Sequence, residues 1–170
     1  MITRDEAWEL TGKNPLKGRW VDCNKGDRGQ YDVRCRWVAK EVAYHHSDQF
    51  FAATPPLEAL RFIISEAATR PPPAGHGRRG GAQGTETPRK KLIFLYAKKA
   101  HLRAPSVRDV CVALPPERAK PGYCYRLRRC LYGTRDAPQQ WERFAAAALE
   151  ALGFKRGRAS AVCFYQPVRA

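Results

Sequence analysis

The run Arg126-Leu127-Arg128-Arg129-Cys130-Leu131-Tyr132-Gly133-Thr134-Arg135-Asp136-Ala137-Pro138-Gln139-Gln140-Trp141 constrains the fold of this chain more than any other stretch. An extended segment must end here, turn, and enter a helix. Gly133 permits the positive φ that a tight turn needs, Asp136-x-x-Gln139 has capping-box spacing, and Pro138 suits a first helical turn. Trp141, Phe144, Ala145, Ala148, Leu149 and Leu152 then share one helical face, and Gly153 stops the helix. Arginines lie on both sides of the turn. Exposed backbone amides, guanidinium groups and a helix amino end together suit a phosphate or a nucleic-acid backbone. Taken alone, the same arginines read more readily as a solvated surface.

Charge distribution bears on that choice. The chain has 170 residues and a formal charge of +15. Residues 1–69 carry ten cations and ten acids, whereas residues 89–135 carry thirteen cations and two acids. The excess is a patch, and a basic patch points to a polyanionic partner. Six cysteines, Cys23, Cys35, Cys111, Cys124, Cys130 and Cys163, show neither C-x-x-C pairing nor zinc-ligand spacing with histidine. They read as reduced, mostly buried thiols. Met1-Ile2-Thr3-Arg4-Asp5-Glu6 lacks the apolar core of a signal peptide, and no apolar run reaches membrane-spanning length. The expectation is an intracellular chain, with cytoplasm and nucleus not distinguished and no membrane partner.

Residues 19–23 and 31–40 are strand-like and flank Asn24-Lys25-Gly26-Asp27-Arg28-Gly29, which predicts a hairpin. Alternation places Val33, Cys35, Trp37 and Ala39 on one face of the second strand, and Arg34, Arg36, Val38 and Lys40 on the other. That basic face is either the solvated side of a sheet or a phosphate-facing surface. Thr54-Pro55-Pro56 opens a helix in which Leu57, Leu60, Ile63, Ile64, Ala67 and Ala68 recur at helical spacing, so core packing is expected of it. Residues 70–91 hold glycines, prolines and cations without apolar periodicity and read as a low-complexity basic insert. Leu92-Ile93-Phe94-Leu95-Tyr96 is expected as a central buried strand. Further strands are expected at 107–114, 123–127 and 162–165.

Several of these blocks resemble one family. Leu131-Tyr132-Gly133 with Ala137-Pro138 and Trp141 resembles the "LYG…AP…W" signature of copia-type (Ty1/copia) retrotransposon reverse transcriptases. Arg34-Cys35-Arg36-Trp37-Val38-Ala39-Lys40 is similar to that family's basic fingers strand "KARLVAKG", with Glu41 where the family usually has glycine. The segment from Asp48 into the helix at 57–68 resembles "DYDETFSPVVRLDTIRLLLSLAA". The likeness covers roughly residues 18–166.

The resemblance implies an α+β fold: a fingers β-hairpin, a partial palm antiparallel sheet and two packed helices. Residues 1–17 would be an N-terminal extension and 18–170 a partial reverse transcriptase domain, carrying the insert at 70–91. The implied partner is RNA or DNA, bound nonspecifically through its backbone. The implied nucleotide and phosphate contacts are Arg34, Arg36, Lys40, His101, Tyr132, Gly133 and Arg135, with Arg126, Arg128 and Arg129 toward nucleic acid. His101 matches the aromatic position that screens the 2′ position of the sugar.

The family's RNA-directed DNA polymerase activity uses Mg2+ held by three aspartates. The first begins the motif "DVKTAFL", whose counterpart here is Tyr96-Ala97-Lys98-Lys99-Ala100-His101-Leu102, so Tyr96 stands at the aspartate position. A neutral phenol is a poor magnesium ligand, and two adjacent lysines repel the metal. The "YVDD" pair has no counterpart, since no two aspartates are adjacent. Asp109, Glu117 and Asp136 are the nearest acidic residues. The expectation is a truncated, inactive transposable-element polymerase that needs no cofactor and keeps a binding surface; the alternatives are a nonspecific nucleic-acid-binding module, or part of an active reverse transcriptase completed by missing C-terminal sequence. A palm sheet without its last hairpin should also expose an edge and self-associate.

Overall fold

The computed structural model describes residues 1–42, 50–69 and 91–167. Apart from Lys91, the basic insert expected at 70–91 lies outside these residues. The described residues form a mixed α+β arrangement of three α-helices and three small antiparallel sheets.

The first residues are integrated into the sheet. Thr3 caps α1 (Arg4–Thr11) by accepting the Glu6 amide at 3.1 Å, while the Thr3 amide donates to the Glu6 carboxylate at 2.7 Å, a reciprocal capping box. Gly12, at φ 62°, ends the helix. Just before it, β1 (Ile2–Thr3) pairs antiparallel with β5 (Tyr123–Arg126), which pairs in turn with β4 (Cys111–Ala113). The sheet order is therefore β1-β5-β4. Leu16 continues it by a parallel bridge to Val112, so residues 1–17 flank the sheet on both sides. Its outer strand on one side among the described residues is the two-residue β1.

The hairpin forms as expected. β2 (Gly18–Asn24) pairs with β3 (Val33–Ala39) over seven registered positions, with Trp20 opposite Trp37. The Asn24 side chain closes the turn by accepting the Gly26 and Asp32 amides, both at 3.0 Å.

α3 (Ala137–Ala151) ends where Gly153 adopts φ 88°. Its start differs from the expected capping box. Asp136 has helical dihedrals and makes no cap hydrogen bond, because its carboxylate is drawn instead to Arg108 at 2.8 Å. After α3, β6 (Lys155–Arg156) pairs with β7 (Phe164–Tyr165), a shorter strand than 162–165.

Two apolar segments depart furthest from expectation. Leu92-Ile93-Phe94-Leu95-Tyr96 is neither strand nor core; Leu95 is 92% exposed and Tyr96 88%. The place of a central strand is taken by β5, which has a neighbour on each side. α2 (Leu57–Ala68) forms but buries none of its side chains. It starts after Pro56, not from a Thr54 cap, because Pro56 is held extended at ψ 141°. Leu57, Leu60, Phe62, Ile63 and Ile64 stay exposed.

The core that remains is built of small residues. One cluster joins Ala7, Cys111 and Cys124 under Ile2; a second joins Ala39, Val110 and Val112 with Leu16, Leu127 and Leu131; a third joins Ala104, Cys130 and Ala137. The cysteines are free thiols, but only Cys111, Cys124 and Cys130 are buried, while Cys23 and Cys35 lie exposed on the hairpin. Burial pushes the three buried thiols up from their ordinary values and keeps them protonated at neutral pH.

Candidate nucleic-acid interface

The turn at Gly133 is the point where three segments meet. Gly133 has φ 87°, and a Cβ there would lie 2.0 Å from the Ala39 carbonyl oxygen, so only glycine allows β3 to approach this closely. The Ala39 amide donates to the Tyr132 carbonyl at 2.9 Å, which ties the end of β3 to the turn. The third segment is a 3-10 turn, Ala100–Arg103, entered through Lys99 at φ 56°. It is held alongside by the Cys130 amide, which donates to the Ala104 carbonyl at 3.0 Å.

These joints bring Arg36, His101, Tyr132 and Gly133 together. The His101 ring lies 4.9 Å from the Tyr132 ring, tilted by 40°, and the Arg36 guanidinium sits 5.8 Å from the Tyr132 centroid. Tyr132 is thus half-buried between an imidazole and a cation. Burial lowers the His101 pKa below its ordinary value, so the ring is neutral at pH 7 and offers an aromatic face, not a charge. Its Nδ1 is buried without a hydrogen-bond partner among the described residues.

The hairpin extends this surface. Residues opposite one another in an antiparallel pair share a face, so Arg19, opposite Val38, joins Arg34 and Arg36 on the basic side. Arg19 was missed in the sequence because only the register reveals its partner. Arg34 is partly held by Asp32 at 3.2 Å. Lys40 is exposed just past the strand, where its amide donates to the Lys17 carbonyl at 2.7 Å.

Arg135 is placed differently. Its guanidinium lies 5.2 Å from the Phe50 ring, beside that of Arg108 at 5.0 Å, and its amide donates to Glu41. Arg126 pairs with Asp109 at 2.7 Å, and Arg129 donates to the Arg103 carbonyl. Arg126 and Arg128 line a cavity of about 560 Å3 with Ser106 and Arg108. Arg126 and Arg128 therefore share one basic area, whereas Arg129 is tied to the end of the 3-10 turn that carries His101.

Behind the turn lies an ion-pair network whose partners are far apart in the chain. Arg108 donates to both Glu41 carboxylate oxygens, at 2.7 and 2.6 Å, and to Asp136. Burial acts to raise the Glu41 pKa, but donation from Arg108 and from the Arg135 amide outweighs it and holds the carboxyl below its ordinary range. Asp136 is 2% exposed, and its second oxygen has no partner among the described residues.

The residues around Tyr96 do not fit a divalent metal. Tyr96 is exposed and precedes Lys98 and Lys99, and no group of three metal-ligating side chains occurs among the described residues. Asp109, Glu117 and Asp136 are each engaged elsewhere, by Arg126, the Trp20 indole and Arg108 respectively. No described helix is long and apolar enough to cross a membrane. Comparison of the chain with family models, with curated proteins and with solved structures found no match.

Proposed function

We propose that this chain is a catalytically silent piece of a copia-type retrotransposon reverse transcriptase that retains nonspecific binding of RNA or DNA. The observation that carries the reading is the Arg36-Tyr132-His101 assembly. A ring with an adjacent neutral imidazole offers bases a face for stacking, and the arginines on one face of the hairpin supply cations suited to a phosphate backbone. Four of the residues matched to the family's nucleotide contacts meet in this one place. The hairpin and the α+β arrangement are compatible with fingers and part of a palm.

Tyr96 supports catalytic silence. An internal tyrosine at the position of the first metal ligand, followed by lysines, leaves a magnesium ion without its first carboxylate.

The test has two arms. Fluorescence anisotropy with a labelled oligouridylate across a salt series should show affinity falling steeply with salt, and Arg36→Gln should reduce the magnitude of that slope by about one. Tyr132→Ala should weaken binding by about 1–3 kcal/mol with little change in slope. Affinity insensitive to both substitutions would sink the assignment of this surface. In primer extension with magnesium, the wild-type chain should be inactive; extension by it would overturn the reading of Tyr96.

A further inference from the structure

We infer that Glu41, although it is an acid facing a polyanion, is a positioning residue that nucleic-acid binding requires. The inference rests on the reading of the Tyr132 surface given above.

Glu41 lies two residues beyond the end of β3, and its side chain is only 14% exposed. One oxygen accepts from Arg108 Nη1; the other accepts from Arg108 Nη2 and from the Arg135 amide, the last at 2.8 Å. Arg108 Nη2 also donates to Asp136 at 2.8 Å. The Glu41 carboxylate therefore joins the exit of β3 to the segment that leads into β4 and to Arg135 after the Gly133 turn, and Arg108 extends the link to Asp136. Arg36 is carried by β3 and Tyr132 by the turn, so their spacing depends on how these segments are held. The Ala39 amide makes one direct bond across that junction, and Glu41 with Arg108 makes the charged ones, which are the stronger kind.

Long-range electrostatics gives the opposite expectation. Each carboxylate on a chain of net charge +15 repels phosphate, so neutralising one should strengthen binding. Asp109 supplies the control. It is 43% exposed, pairs with Arg126 and takes no part in the Glu41 network, so Asp109→Asn should tighten binding.

The experiment is anisotropy of labelled oligouridylate with the full chain. Glu41→Gln is expected to weaken binding about 10-fold with an unchanged salt slope, as a displaced stacking surface would. Glu41→Asp should recover part of the loss. In a Tyr132→Ala background Glu41→Gln should cost nothing further, because the surface it positions is already gone. Arg108→Lys keeps the net charge but loses the fork that reaches both carboxylates, and it should weaken binding as Glu41→Gln does. Should Glu41→Gln fail to fold, Glu41→Asp and Arg108→Lys carry the test. Binding by Glu41→Gln equal to or tighter than wild type overturns the inference, as does an equal loss with and without Tyr132, or unchanged binding by Arg108→Lys. Failure of the underlying reading is distinguishable: Tyr132→Ala itself would then leave the affinity of the wild-type chain unchanged.

Discussion

The Gly133 corner and the α2 and 92–96 segments differ in what surrounds their apolar residues. At the corner, small residues are buried because backbone from three segments comes together: Ala39, Ala104, Cys130 and Ala137 contribute little side-chain area but allow close approach. In α2 and 92–96 the side chains are large and the surroundings open; Ile93 and Phe94 are about as exposed as Tyr96. Burial here follows from which backbones meet, not from how apolar a segment is. Contiguous exposed apolar surface of this kind marks a contact site or an aggregation hazard.

Substitutions can break this contrast, the largest effect being expected at the turn. Gly133→Ala combines a strained positive φ with a backbone clash at Ala39 and should cost more than about 3 kcal/mol in a urea titration. Gly153→Ala, with a similar φ but open space around it, should cost about 1–2 kcal/mol. Equal costs would mean that the approach of β3 is not what demands glycine.

Next comes the core against the exposed helix. Val112→Ala, at a residue 1% exposed, should cost about 2–3 kcal/mol. Ile63→Ser on α2 should stay within about 0.5 kcal/mol. A larger loss from Ile63→Ser in dilute solution would show that α2 is covered in the folded chain; sedimentation would then show whether a second copy covers it.

The Glu41 network predicts a pH dependence with a definite sign. Glu41 has a folded pKa below its unfolded value of 4.5, so its contribution is fully present above that value and is lost as pH falls through the folded pKa. The urea midpoint should therefore drop below pH 4.5, and Glu41→Gln should flatten that drop. An identical acid profile for the variant would remove Glu41 from the account. A smaller effect than at the core is expected at α1, where Thr3→Ala removes one half of the capping box and should cost about 1 kcal/mol.

Local chemistry was legible in the residues themselves. The hairpin followed from a turn cluster between two alternating runs, and the glycine turn and the end of α3 followed from Gly133 and Gly153. The capping box of α1 was legible too, since Thr3 and Glu6 have its spacing, but the segment was set aside as an extension. Of the expected site, Tyr132 and Gly133 are neighbours in sequence, whereas Arg36 and His101 reach them only through the fold. Arg108 and Glu41 are 67 residues apart and carry no local signal of their pairing.

What the sequence determined by itself was whatever depends on neighbours within a few residues: turns, helix stops at glycine, periodicity and the concentration of charge. Tertiary structure alone decided which apolar runs are buried. Leu92-Ile93-Phe94-Leu95-Tyr96 has the composition of a buried strand, but a buried strand also needs a partner to satisfy its backbone, and residues 92–96 pair with no strand among the described residues. Tertiary structure also decided the role of Asp136. Its spacing to Gln139 suits a helix cap, but a guanidinium at 2.8 Å offers a buried carboxylate a stronger, charge-assisted bond than an amide does.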